Sequence, residues 1–150
     1  MRIYLDTCCL GRLFDDPGQT RVAEEAAAVS RVFGLVASGL LELVSSEMVE
    51  EEVSRISQAE RRADAEFRLA RAAHRVTMST TVSARGLSLV RLGFHQVDAL
   101  HLAAAEDAEA ECFLSTDDRL VRRAARFRRE LGVRVLNPTL FIAELNDGQS

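Results

Sequence analysis

The sequence predicts an α/β fold, a five-stranded, mostly parallel sheet between two helical layers, and three observations carry that prediction. Short apolar runs such as Ile3-Tyr4-Leu5 and Cys112-Phe113-Leu114 have the character of strands buried on both faces. Longer segments between such runs repeat their apolar residues at helical spacing. The two kinds of segment alternate along all 150 residues, as they do where crossover helices join parallel strands. With no internal repeat, linker or low-complexity run, one three-layer α/β/α domain is predicted over 1–145, with 146–150 a frayed tail.

The first strand ends at Asp6, and Phe14-Asp15-Asp16-Pro17-Gly18 reads as a turn. Thr20 is a candidate N-cap for a helix over 20–38, with Val22, Ala26, Val29, Phe33 and Val36 on one face and Gly39 at the C′ position. The second strand is predicted over 41–45. Ser46 then caps a helix over 47–56, whose buried stripe is Met48, Val49, Val53 and Ile56. Glu52 falls on that stripe, an acid where burial of charge is costly unless something pairs with it.

Residues 57–75 are charged and Ala-rich and read as a helix with Phe67 and 69–73 inward; a short third strand follows over 75–78. Ser79 or Thr80 caps the next helix, carrying Val82, Leu87, Val90 and Leu92, with Gly86 a weakness within it and Gly93 beyond its end. A helix from Gln96 or Val97 holds Asp98 in its first turn and His101 one turn later. The fourth strand, 112–115, leads to Thr116-Asp117-Asp118. An arginine-rich helix over 120–131, with Leu120, Ala124 and Phe127 inward, precedes a fifth strand over 133–136. Asn137 and Pro138 open the last helix as cap and first-turn proline, with Phe141, Ile142 and Leu145 inward.

Composition narrows the function. An apolar content of 47% is ordinary for a folded protein, and no uninterrupted apolar stretch is long enough to span a bilayer. Asp6, Arg12, Asp15 and Asp16 interrupt the N-terminus too early for a signal peptide, so a cytoplasmic protein is expected. Cys8, Cys9 and Cys112 have neither disulfide-framework nor zinc-site spacing and read as buried thiols. All 19 basic residues are arginine, which excludes any mechanism needing a catalytic or phosphate-binding lysine. The net charge of −4 argues against a general nucleic-acid coat protein but leaves room for a local basic surface.

Chemistry is expected where acids gather. Asp6 and Asp117 both follow buried strands, and in a parallel sheet both lie at the same edge, where such folds bind ligands. Asp98 opens a helix facing that edge, and Glu52 points inward from another. Four converging carboxylates would repel and drive some of their pKa values up. A hard divalent cation relieves that repulsion, and oxygen-only ligands favour Mg²⁺ or Mn²⁺ over zinc. Such a cation on such a site supports hydrolysis of a phosphodiester backbone. Arg119, Arg122 and Arg123, with Arg126, Arg128 and Arg129, could guide the phosphates or form an ordinary solvated helix face.

Four stretches, taken in order, resemble the PIN domain, a metal-dependent nuclease fold, and are similar to the VapC-type toxins of bacterial toxin–antitoxin pairs. They are Leu5-Asp6-Thr7, the run from Ser46 to Glu52-Val53, Val97-Asp98-Ala99-Leu100-His101-Leu102-Ala103, and Leu114-Ser115-Thr116-Asp117, spread over essentially the whole chain. The resemblance implies a sheet with strand one in the middle and a homodimer. It implies Asp6, Glu52, Asp98 and Asp117 as the metal-binding acids, with Ser115 or Thr116 orienting them by hydrogen bonds; Thr7 and Asp118 are further candidates beside them. The expected activity is a Mg²⁺- or Mn²⁺-dependent endoribonuclease acting on single-stranded or looped RNA. Asp6, Asp98 and Asp117 would bind metal and Glu52 would complete the shell or position the water. A protein antitoxin is a possible partner. Glu50 and Glu51 compete with Glu52, and Asp118 with Asp117.

Each acid also has a plainer explanation. Asp6 could start a turn, Asp98 could be a first-turn acid favoured by the helix dipole, and Asp117 could be an N-cap. Glu52 could pair with an arginine, and His101 could be a packed helix histidine. A PIN fold that binds RNA or protein without cutting, and a structure-specific DNA nuclease, are the alternative functions. Other folds with acids at strand ends fail on residues: a receiver domain needs a lysine, a haloacid-dehalogenase-type phosphatase needs an acid where Cys8 stands, and a P-loop needs glycines and a lysine.

Overall fold

Five short strands form the sheet of the computed structural model, which describes residues 1–148: β1 (Arg2–Leu5), β2 (Glu42–Ser46), β3 (His74–Val76), β4 (Cys112–Leu114) and β5 (Arg134–Leu136). Their order is β3-β2-β1-β4-β5, and every pairing is parallel, with Ile3 opposite Leu43 on one side and Cys112 on the other. The first strand is thus central, and Ile3, Tyr4, Leu43, Phe113 and Leu114 are almost completely buried. Tyr4 stacks on Phe113 at 5.1 Å between ring centres. Full burial of a single aliphatic side chain of this kind stabilises by about 1.5–3 kcal/mol, which is why these runs occupy the middle of the molecule.

Eight helices connect and cover the strands: α1 (Thr7–Arg12), α2 (Thr20–Ala37), α3 (Glu47–Ser54), α4 (Ala59–Leu69), α5 (Thr80–Arg91), α6 (Gln96–Asp107), α7 (Asp118–Arg126) and α8 (Pro138–Gly148). Helix α2 packs on α1 and α8, α5 packs on α6, and α6 lies on β2 and β3, which gives the three-layer α/β/α arrangement. Local chemistry sets the boundaries. Ser46 accepts from the Val49 amide at 3.2 Å and Ser79 from Val82 at 3.1 Å, as their cap assignments require. Asn137 takes the Thr139 amide at 2.8 Å, beside Pro138 in the first position of α8. Thr20 begins its helix instead of capping it, and Gln19 occupies the cap position.

Two glycines make Schellman turns. Gly39 (φ +83°) follows α2, with the Leu40 amide on the Leu35 carbonyl; Gly93 (φ +100°) follows α5, with the Phe94 amide on that of Leu89. The second turn sends Phe94 into the core and starts α6 two residues later. Asp98 is thereby brought to the sheet edge.

The structure corrects several expectations. Helix α1 occupies a segment after Asp6 to which the sequence reading assigns no element; six residues are too few for periodicity to reveal. Phe67 lies outward, two-thirds exposed beneath the Arg71 guanidinium, and α4 ends at Leu69, so 70–73 are not its inner face. Leu87 and Val90 are exposed because the inner face of α5 runs through Val82, Gly86 and Leu89. Gly86 sits there because a Cβ would come within 2.9 Å of the Leu100 side chain on α6. The arginine-rich helix stops at Arg126, and α8 continues past Leu145 to Gly148; residues 149 and 150, the end of the expected frayed tail, lie outside the described residues.

Candidate active site

Because all strands are parallel, the loops after β1, β2 and β4 leave the same edge. The chain departs from β1 in opposite directions toward β2 and β4, so the gap between β1 and β4 is the topological switch point. Asp6 follows β1 on one side of that gap, and Ser115-Thr116-Asp117 follows β4 on the other.

Asp6 occupies the cap position of α1 but its carboxylate caps nothing. Oδ2 instead accepts from the Ser115 hydroxyl at 2.8 Å and from the Cys8 thiol at 3.4 Å, and no hydrogen bond ends on Oδ1 among the described residues. Burial raises its pKa most strongly; His101, Ser115 and Cys8 pull it back, and the charge of Glu52 pushes it up again. Ser115 also accepts from the Asp117 amide at 3.0 Å, so one buried hydroxyl ties the two strand ends together. The contacts of Thr116 run through its backbone: its amide points at the Cys8 sulfur and its carbonyl accepts from Arg21. Among the described residues, the buried Thr7 hydroxyl has no hydrogen-bond partner.

Asp117 is the N-cap of α7, its Oδ1 accepting from the amides of Arg119 (3.0 Å) and Leu120 (3.3 Å), which leaves Oδ2 to other ligands. Asp118 is held by the Arg21 guanidinium through two bonds of 2.7 and 2.6 Å. Asp98 is half-buried in the first turn of α6, and among the described residues its carboxylate has no hydrogen bond or ion pair. Its pKa is raised, first by burial and then by the negative charges of Asp6 and Asp117. Asp98 and Asp117 line an open cleft of about 580 Å³ together with Arg119, Arg122, Arg123 and Arg126 of α7. Arg123 is partly committed, reaching the Leu92 carbonyl at 3.4 Å over Gly93.

Of the three glutamates that end α3, two turn away: Glu50 pairs with Arg75 and Glu51 with Arg55, both at 2.7 Å. Glu52, partly exposed, meets Nε2 of the buried His101. The four acids are linked through their charges: those of Asp6 and Asp117 raise the Asp98 pKa, and that of Glu52 raises the Asp6 pKa. Among the described residues, no group of three or more His, Cys, Asp or Glu side chains is arranged to hold a metal ion.

Two features went unread in the sequence. Cys8, taken as a core thiol, touches Asp6. Glu25, nearly inaccessible, sits between Arg12 (2.7 Å) and Arg21 (3.3 Å) and accepts from Asn137. It falls on the apolar face of α2, three residues after Val22 and four before Val29, so the signal that singled out Glu52 would also have found it.

An acidic crevice at the switch point of a wholly parallel sheet, walled by arginines, defines an α/β protein whose ligand site is built from loops at one sheet edge. The model of the PIN domain family matches residues 3–127, and the chain belongs to that family. Similar solved structures include VapBC2 from Rickettsia felis bound to a DNA fragment from their promoter (15% identity, TM-score 0.61, covering 91% of this chain and 98% of that one). VapBC-1 from nontypeable Haemophilus influenzae is also similar (12% identity, TM-score 0.56, covering 93% and 99%). At these identities the likeness is one of fold. Among curated proteins none matches the chain.

Proposed function

We propose that this protein is a divalent-metal-dependent endoribonuclease of the VapC toxin type, cutting single-stranded or looped RNA. Asp98 carries the reading: a half-buried carboxylate with no hydrogen bond or ion pair among the described residues, its pKa raised by burial and by the charges of Asp6 and Asp117, is the arrangement a hard cation relieves. The donor set fits Mg²⁺ or Mn²⁺, because it offers only oxygens and leaves Oδ1 of Asp6 and Oδ2 of Asp117 available. An open set of carboxylates also suits Mg²⁺, which keeps several waters and takes one or two carboxylates with substrate phosphates. Asp6, Asp98 and Asp117 would hold the ion, which when bound supplies Lewis-acid activation of the phosphodiester and of water. Glu52 would orient the attacking water, Ser115 keeps Asp6 and Asp117 in register, and the arginines of α7 that line the cleft would take the flanking phosphates.

The resemblance to VapC-type toxins, together with the two VapBC neighbours, supports a protein antitoxin as partner; the resemblance alone carries the homodimer. Asp6→Asn is expected to abolish cleavage of RNA in Mn²⁺ while the circular dichroism spectrum stays unchanged. Cleavage persisting in that variant sinks the assignment. Failure of the wild-type chain to bind Mn²⁺ at all would favour a non-catalytic RNA- or protein-binding module, and preferential cutting of DNA in competition would redirect the substrate.

A further inference from the structure

Helix α6 delivers two groups to the sheet edge. Asp98 looks into the cleft, and one turn later on the same helix His101 is buried. Around His101 runs a hydrogen-bonded chain built from four different elements. Ser46, at the end of β2, touches the Tyr4 hydroxyl at 2.6 Å; that hydroxyl touches His101 Nδ1 at 2.6 Å; and His101 Nε2 meets Glu52 of α3.

Counting donors and acceptors fixes the direction of this chain. Ser46 already accepts from the Val49 amide, so its own proton is free to go to Tyr4. Burial, the largest influence, raises the Tyr4 pKa far above its ordinary value, so the phenol keeps its proton and gives it to Nδ1. Nδ1 is then bare, and the ring proton sits on Nε2, aimed at the carboxylate. In this arrangement every donor has an acceptor. Reversing it leaves the serine proton without one and turns a bare nitrogen toward the Glu52 oxygens.

We propose that His101 is a positioning residue for Glu52, set in a single tautomer by Ser46 and Tyr4 so that one carboxylate oxygen is held and the other is left for the water. The role rests on the nuclease reading, in which Glu52 orients water. Glu52 needs such a hold: its side chain is about one-third exposed, and its only hydrogen bond among the described residues is the one from His101. Tyr4 makes a rigid base for the chain because it lies on the central strand, stacked on Phe113 and edge-on to the imidazole at 5.7 Å.

The test has one arm that needs no activity. Nitrogen-15 NMR of the imidazole in the metal-free wild-type chain is expected to show His101 protonated at Nε2 and bare at Nδ1; a ring protonated at Nδ1 alone overturns the proposal. The second arm maps a cleavage site in total RNA with Mn²⁺ and uses an oligonucleotide bearing that site. His101→Leu, which breaks both bonds, is expected to lower kcat by roughly 10–100-fold with KM little changed. His101→Gln, whose amide can accept from Tyr4 and donate to Glu52, is expected to recover most of that loss. Equal kcat for wild type and His101→Leu, or no recovery by a folded His101→Gln, overturns the positioning role. A wild-type chain that cuts no RNA sinks the nuclease reading instead, whatever tautomer the spectrum shows.

Discussion

A buried acid whose pKa is raised weakens the fold that contains it. Between the unfolded and folded pKa values of Asp6 the native state holds the extra proton, so stability falls as pH rises through that interval and stays lower above it. Asp6→Asn removes the charge and keeps the shape, and Ser115 can still donate to its amide oxygen. The metal-free variant is therefore expected to melt at a higher temperature than the wild type near pH 7, although it is inactive; calorimetry without metal checks this, and a lower melting temperature would contradict it. Loss of function with gain of stability is the mark of a strained working site. Glu25 behaves in the opposite way. Burial pushes its pKa up, but Arg12, Asn137 and Arg21 more than offset that and hold it below the ordinary value. Its contribution is present above the unfolded pKa of roughly 4.3 and is lost as pH falls through the folded value. Glu25→Gln should destabilise by about 3 kcal/mol at pH 7, and the difference from wild type should shrink in acid, as denaturant melts at the two pH values would reveal.

At the scale of elements, helices α5 and α6 meet at a glycine. Gly86→Val would drive two methyl groups into the Leu100 side chain, at a cost of about 1–3 kcal/mol, visible as a lower urea midpoint with an unchanged slope. The same contact explains how far the sequence could be read. Strands such as Ile3-Tyr4-Leu5 were legible because burial on both faces leaves an uninterrupted apolar run, and Ser46, Ser79 and Asn137 because capping is local chemistry. The inner face of α5 was not legible, since Gly86 reads as a helix weakness until its neighbour on α6 is known. Asp98 stood out by its position at a helix start and Asp117 by its position after a buried strand. The carboxylate of Asp117 proved to be both a cap and a cleft wall, which no single-sequence pattern separates. The pairing of Asp118 with Arg21 spans 97 residues and leaves no local trace.

The whole molecule is acidic, yet it turns an arginine wall toward the carboxylates. That separation of charge suits a polyanion drawn past a recessed acidic centre. Arg122→Ala is expected to raise KM for an RNA oligonucleotide and to flatten the dependence of KM on salt, with kcat nearly constant. An unchanged salt slope would return this helix to the status of an ordinary solvated surface. Among the described residues, no helix is long and apolar enough to cross a membrane.

The central strand pairs with one drawn from far along the sequence. Ile3 lies opposite Cys112, and the site beyond the ends of their two strands needs Asp98, Ser115 and Asp117 as well as Asp6. A nascent polypeptide therefore has no complete centre until the segment through Asp117 has left the ribosome. If the finished product cuts RNA, the transcript and the machinery translating it are spared until that late moment, and prematurely terminated fragments are harmless.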